Sequence, residues 1–263
     1  MKALNYKCAI VTGASSGIGA AIAIELCNHG VLVLAVARRR SNLMSVKSSI
    51  AKDRQKFFKP IVADIAKPND TKRIIDAAKK EGGTDLLINN AGVGISKSFE
   101  KHSLTNAEDI ISTNLLGTIM LTHNSLLNRR AKKSLHIVFV SSLAGKIGFP
   151  NLSVYSATKF AIEGLAESLR HEYANSLVRI TVLRPGVTDT NFFNVAGMKE
   201  YYNSVKKSKK IHTAGSVANE LLTNLDDNNG IIMVGGDRLF LRILPFVPFT
   251  KRFKILNFTN TFQ

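Results

Sequence analysis

The stretch YKCAIVTGASSGIG, residues 6–19, decides the fold. Tyr6 to Val11 is apolar enough for a buried strand, and Thr12-Gly13 ends it. Residues 17–29 follow, rich in Ala, Ile and Leu, and read as a helix. Gly13, Gly17 and Gly19 therefore stand at a strand-to-helix turn. Such a turn lets the backbone approach a pyrophosphate, and the helix start offers free N–H groups at the positive end of its dipole. The spacing is G-x-x-x-G-x-G, one residue longer at the front than the common dinucleotide fingerprint. Alone, the pattern is a weak to moderate signal, and a tight loop with no ligand is the alternative.

The flanking sequence repeats the alternation. VLVLAVA, residues 31–37, is a continuous apolar run suited to a strand covered on both faces. A helix over 41–53, a strand over 58–62, a helix over 68–80 and a strand over 86–88 come next. Helical stretches at 103–112 and 114–128 precede a strand at 135–142 and a long helix at 153–175. A strand at 179–185, a helix at 216–225 and a last strand at 230–234 complete the pattern. Repeated β-α-β units with apolar strands imply an α/β fold, a Rossmann-type doubly wound parallel sheet of about seven strands with helices on both faces. Residues 1–238 read as one domain, with an irregular loop at about 190–214 where periodicity fades. Residues 239–263 form a separate tail.

Composition narrows the classes. The chain has 263 residues, and 45% hydrophobic content is ample for a packed core. No run of 18 apolar residues suggests a membrane span. MKALNYKCAIVTG lacks the apolar core and cleavage site of a signal peptide, and Cys8 and Cys27 sit in apolar surroundings as reduced core residues. Both point to a cytoplasmic protein. The net charge of +17 is spread along most of the chain, without zinc-finger spacing, an RNA-binding aromatic signature or a basic arm. No specific nucleic-acid binding is expected, although a basic surface attracts anions. The six histidines show no ligand spacing, so no metal is expected; His123, His136 and His171 read as packing or surface residues.

SVYSATKF, residues 153–160, places Tyr155 and Lys159 one helical turn apart. An ammonium beside a phenol favours the phenolate and is expected to lower the tyrosine pKa from about 10. The bland alternative is a half-buried tyrosine beside a solvated lysine. Further motifs surround this pair. NNAG, residues 89–92, follows a strand; Asn114 sits in NLLG; Ser141 and Ser142 close HIVFVSS; and Pro185-Gly186 ends the next strand. Jointly, these residues closely resemble the short-chain dehydrogenase/reductase family, in its NADP-preferring, Y-x-x-x-K form. The likeness is strong over about residues 5–190 and weaker to about 236.

The resemblance implies an oxidoreductase that moves a hydride between NADP(H) and a carbonyl or secondary alcohol. Tyr155 would be the acid/base, and Lys159 would bind the nicotinamide ribose and keep the tyrosine pKa low. Ser142 would hydrogen-bond the substrate oxygen, and Asn114 would hold a water in the proton relay. Ser141 should face the other side of its strand. Gly13, Ser15, Ser16, Gly17, Ile18 and Gly19 would cradle the cofactor. Asp64 and Ile65 would lie beside its adenine, Asn90, Ala91 and Gly92 would support it, and Thr190 beyond Pro185-Gly186 would lie near its carboxamide. The second strand ends in AVARRRS, with no Asp or Glu between Glu25 and Asp53. Arg38 and Arg39 suit a 2′-phosphate by charge and fork geometry, whereas an NAD site usually carries an acid there.

Substrate choice in this family sits after Pro-Gly. Phe192, Phe193, Tyr201 and Tyr202 could form an apolar lid there, or pack on the domain itself, so an apolar substrate is favoured. A low-turnover NADP(H)-binding scaffold or redox sensor is the competing function. The helices near 103–128 and 153–175 resemble those that pair subunits in this family, which implies a homodimer or homotetramer. The tail, LFLRILPFVPFTKRFKILNF at 239–258, is apolar and basic, and Pro245 and Pro248 rule out one continuous helix. Two fates stay open for it: packing on the protein or a neighbouring subunit, and peripheral docking at a membrane surface.

Overall fold

Alternation inside the strands sets up two apolar layers. In β1 (Cys8–Thr12) every residue is buried. Ala9 and Val11 join one core cluster with Ile22 and Leu26, while Cys8 and Ile10 join another with Ile74, Leu121 and Ile162. A strand whose odd and even residues are both apolar needs cover on both faces, and helices supply it. The computed structural model describes residues 4–129, 133–207, 211–225 and 230–235. The tail from 239 lies outside the described residues.

The chain runs β1, α1 (Gly17–Asn28), β2 (Leu32–Ala37), α2 (Arg40–Ser49), β3 (Phe58–Val62), α3 (Pro68–Lys80) and β4 (Leu86–Asn89). It continues through α4 (Leu104–Ile111), α5 (Gly117–Leu127), β5 (Leu135–Val140), α6 (Ser153–Glu172) and β6 (Val178–Pro185). β7 (Thr188–Asp189), α7 (Phe192–Val195), α8 (Lys199–Lys207), β8 (His212–Thr213), α9 (Ala214–Asn224) and β9 (Ile231–Val234) follow. Seven strands form one sheet in the order β3-β2-β1-β4-β5-β6-β9, and each neighbouring pair is parallel. This is the doubly wound Rossmann-type α/β fold. α1 and α9 cover one face; α3, α5 and α6 cover the other.

Three departures from the sequence reading carry information. The helix expected over 41–53 stops at Ser49, because Ile50 turns extended and Gln55–Phe57 forms a short 3-10 turn before β3. Between α4 and α5 the chain is π-helical over Ser112–Leu116. The segment read as an irregular loop holds α7 and α8, bracketed by a two-stranded ribbon of β7 and β8. These elements are too short to show a period. Among the described residues no helix is long and apolar enough to cross a membrane.

Candidate active site

The chain leaves β1 towards β3 and returns to β4 on the other side of β1, with Ala9 opposite Leu86 and Val11 opposite Ile88. The turns after β1 and β4 therefore lie side by side at the carboxyl ends of the strands, where open α/β sheets hold their ligands. Thr12 locks them together. Its Oγ1 donates to Ile88 O at 3.2 Å and accepts from Asn90 N at 2.9 Å and Ala91 N at 3.0 Å. Asn90 Nδ2 donates back to Thr12 O at 2.9 Å. A Cβ on Gly19 would lie 2.3 Å from Asn90 Nδ2 and 2.5 Å from Gly13 O, so only glycine fits. Gly13 and Gly17 adopt left-handed φ values of +67° and +56°. Ser16 precedes α1 without a side-chain cap, and the first turn carries no acid, so its N–H groups face the cleft unclaimed by side chains.

A cavity of about 320 Å³ runs from this turn to the end of β5. At one end Gly13, Ser15, Ser16, Gly17 and Ile18 face Arg38, Arg39, Asp64 and Ile65. Asn90, Ala91, Gly92, Pro185, Gly186 and Thr190 line its middle. Ser142, Tyr155 and Lys159 close the far end beside Phe192 and Phe193. Two expected residues stand behind the wall. Gly19 is packed under Asn90. Asn114, in the π-helical turn, accepts from Val93 N at 2.8 Å and donates to Val93 O at 2.9 Å and Thr158 Oγ1 at 3.2 Å. Its side chain ties the loop after β4 to α6.

The two serines diverge. Ser142 Oγ accepts from Ala144 N at 3.2 Å and hydrogen-bonds the Tyr155 hydroxyl. Ser141 Oγ is buried towards Gly145 and Glu163. The expectation of a lowered tyrosine pKa is overturned. Burial pushes Tyr155 up to about 12, against the Ser142 hydrogen bond. Lys159 Nζ lies 5.6 Å from the Tyr155 ring centroid and donates to Val140 O at 2.8 Å. Burial pulls it down to about 8, against the charge of Glu163. Desolvation disfavours both charged forms, and here it outweighs their mutual proximity. At neutral pH the phenol keeps its proton while Lys159 is mostly cationic.

The substrate side is aromatic. Phe192 lies 5.4 Å from Tyr155 between ring centroids and packs against Gly94. Phe193 meets Phe192 edge-on and contacts Tyr201 and Tyr202, and Tyr202 hydrogen-bonds Asp189. Sequence reasoning missed Thr12, a polar residue ending an apolar strand. It also missed Glu163, one helical turn past Lys159, which accepts from Arg184 Nε at 2.8 Å and Nη2 at 2.6 Å. An acid at that spacing and an arginine just before Pro185 were visible signals.

Residues 7–200 match the profile of the short chain dehydrogenase family. A mouse protein, 3-ketodihydrosphingosine reductase, is 37% identical over 187 residues, which are 69% of this chain and 56% of the mouse protein. The match thus spans little more than half of that relative's length. A short chain dehydrogenase/reductase from Burkholderia phymatum in complex with NAD superposes with a TM-score of 0.79 at 22% identity, covering 89% of this chain and 90% of that one. A short-chain dehydrogenase from Sphingobium yanoikuyae in complex with NADPH gives 0.76 at 21%, covering 97% and 93%. The glycine cradle, the uncapped start of α1 and the cavity that joins them to the end of β5 fit a nicotinamide dinucleotide.

Proposed function

The chain belongs to the short chain dehydrogenase family, and from that premise we propose that it is an NADP(H)-dependent oxidoreductase acting on an apolar carbonyl or secondary alcohol. The carrying observation is one cavity that has Arg38 and Arg39 at one end and Ser142, Tyr155, Lys159 and Phe192 at the other. Two guanidinium groups and no acid at the end of β2 favour a 2′-phosphate. The mouse relative's name, a reductase of a 3-keto compound, supports a ketone.

When bound, the nicotinamide gives or takes the hydride. The protein holds the substrate and moves the proton. Ser142 and the Tyr155 hydroxyl converge on the position of the substrate oxygen and donate hydrogen bonds as negative charge grows there. Tyr155, a phenol at neutral pH, delivers its proton to that oxygen. The Lys159 cation stabilises the phenolate left behind. Asn114 holds the Val93 loop and α6 in register. Phe192 and Phe193 exclude water from the reacting face.

The test is a panel of ketones of increasing chain length, followed by NADPH consumption. The Tyr155→Phe variant keeps the ring and loses the proton. Its turnover should fall at least about 100-fold while folding and NADPH binding persist. Near-normal turnover would remove Tyr155 from the role. Stoichiometric NADPH binding with no consumption across the panel would favour a cofactor-binding sensor instead.

A further inference from the structure

Glu163 is a buried acid that the mechanism above does not use. It is 7% exposed, on the same face of α6 as Lys159 and one turn further along. Arg184, itself buried, grips it with two hydrogen bonds from the end of β6, beside Pro185-Gly186. Lys146 Nζ lies 3.4 Å from Oε2, the oxygen that Arg184 Nη2 also holds. The loop after β5 closes over the acid. A Cβ on Gly145 would lie 2.6 Å from Ser141 Oγ, 3.0 Å from Lys159 O and 3.1 Å from Glu163 Cγ. Water is thereby kept from the helical turn between Lys159 and Glu163, where a charge acts at low dielectric.

Resting on the functional reading above, we propose that Glu163 is a positioning residue that holds Lys159 as a cation, with Arg184 and Lys146 keeping the Glu163 carboxylate ionised and aimed. Burial alone raises the proton affinity of Glu163, but the Arg184 hydrogen bonds and charge, Ser141 and Lys146 outweigh it and leave the acid below the usual carboxylate range. Around Lys159, Tyr155 and Glu163 face it from α6 and the Val140 carbonyl faces it from β5. The α4 acids Glu108 and Asp109 are exposed to solvent. The Glu163 carboxylate, one turn along the same helix face, favours the Lys159 cation. The Lys159 midpoint of about 8 lies above neutral pH, so this field decides how much cation persists as the pH rises.

The experiment reads Lys159 directly. In the full chain without cofactor, 13Cε-lysine is titrated by NMR, and the Lys159 signal is assigned by its loss in Lys159→Met. The wild-type midpoint should lie at about 8. In Glu163→Gln it should fall, with about two- to fivefold less cation at pH 8 if the loss is half to one unit. Because this variant leaves Arg184 buried and unpaired, Glu163→Gln/Arg184→Met is the second variant, with both charges removed. Its midpoint should fall as well, and the alkaline limb of kcat/KM should move to lower pH with it. A merely structural role would lower activity at every pH and leave the limb in place. An unchanged or raised midpoint in the folded double variant overturns the proposal, as does a fallen midpoint with an unmoved limb. If Tyr155→Phe retains turnover, the functional reading fails instead, and the NMR midpoint is unaffected by that outcome.

Discussion

Phe192 lies across Tyr155, with ring centroids 5.4 Å apart and planes inclined at 47°. Its Cζ sits 2.7 Å from where a Cβ on Gly94 would stand, so the ring occupies space that the glycine leaves open. The residue next to Tyr155 is thus an apolar wall carried by α7. Phe192→Ala should lower kcat/KM for a long apolar ketone by about 10- to 100-fold, the worth of one buried aromatic ring at about 1.5–3 kcal/mol. A short polar carbonyl should lose less. Equal losses for both would show that Phe192 shapes the fold rather than the substrate site.

The proposed preference for NADP(H) rests on the arginines after β2. Arg38→Ala should weaken NADPH binding more than NADH binding, because only NADPH carries the 2′-phosphate. Titration of both cofactors by fluorescence gives the ratio. Parallel weakening would mean that Arg38 contributes general positive charge and does not read the phosphate.

Lys159 gives a pH dependence of stability with a defined sign. Its folded pKa of about 8 lies below the ordinary 10.5, so between these values the unfolded chain binds more protons and stability from this group rises with pH. Lys159→Met should therefore unfold at a higher temperature than wild type near pH 7. That advantage should shrink between pH 8 and 10.5. A constant offset over the range would place the effect in packing and not in the buried charge.

Assembly is a fourth prediction. Leu104 is 83% exposed at the start of α4, and Leu116 and Phe160 are 47% and 43% exposed on the π-helical turn and α6. Exposed apolar groups on neighbouring helices favour a twofold pairing. We expect a dimer or tetramer by light scattering at micromolar concentration, with Phe160→Glu shifting it towards monomer. A wild-type monomer would contradict the pairing.

The sequence by itself determined the layers and the ends of the site. Apolar runs such as VLVLAVA and the glycine-rich turn act locally, through burial on both faces of a strand and through backbone conformations open only to glycine. Tyr155, Lys159 and Ser142 were legible because the joint motif set resembles a known family, while spacing on one helix and alternation on one strand set which side chains share a face. Tertiary structure alone decided the rest. It sent Gly19 and Asn114 behind the cavity wall and made Thr12 the link between two turns 76 residues apart along the chain. It folded Phe192–Val195 and Lys199–Lys207 into short helices that pack on each other through Phe193 and Tyr201 and reach Tyr155 through Phe192. It also reversed the expected tyrosine shift, because desolvation depends on everything packed around a group, and the i to i+4 spacing of an ammonium and a phenol carries no information about burial.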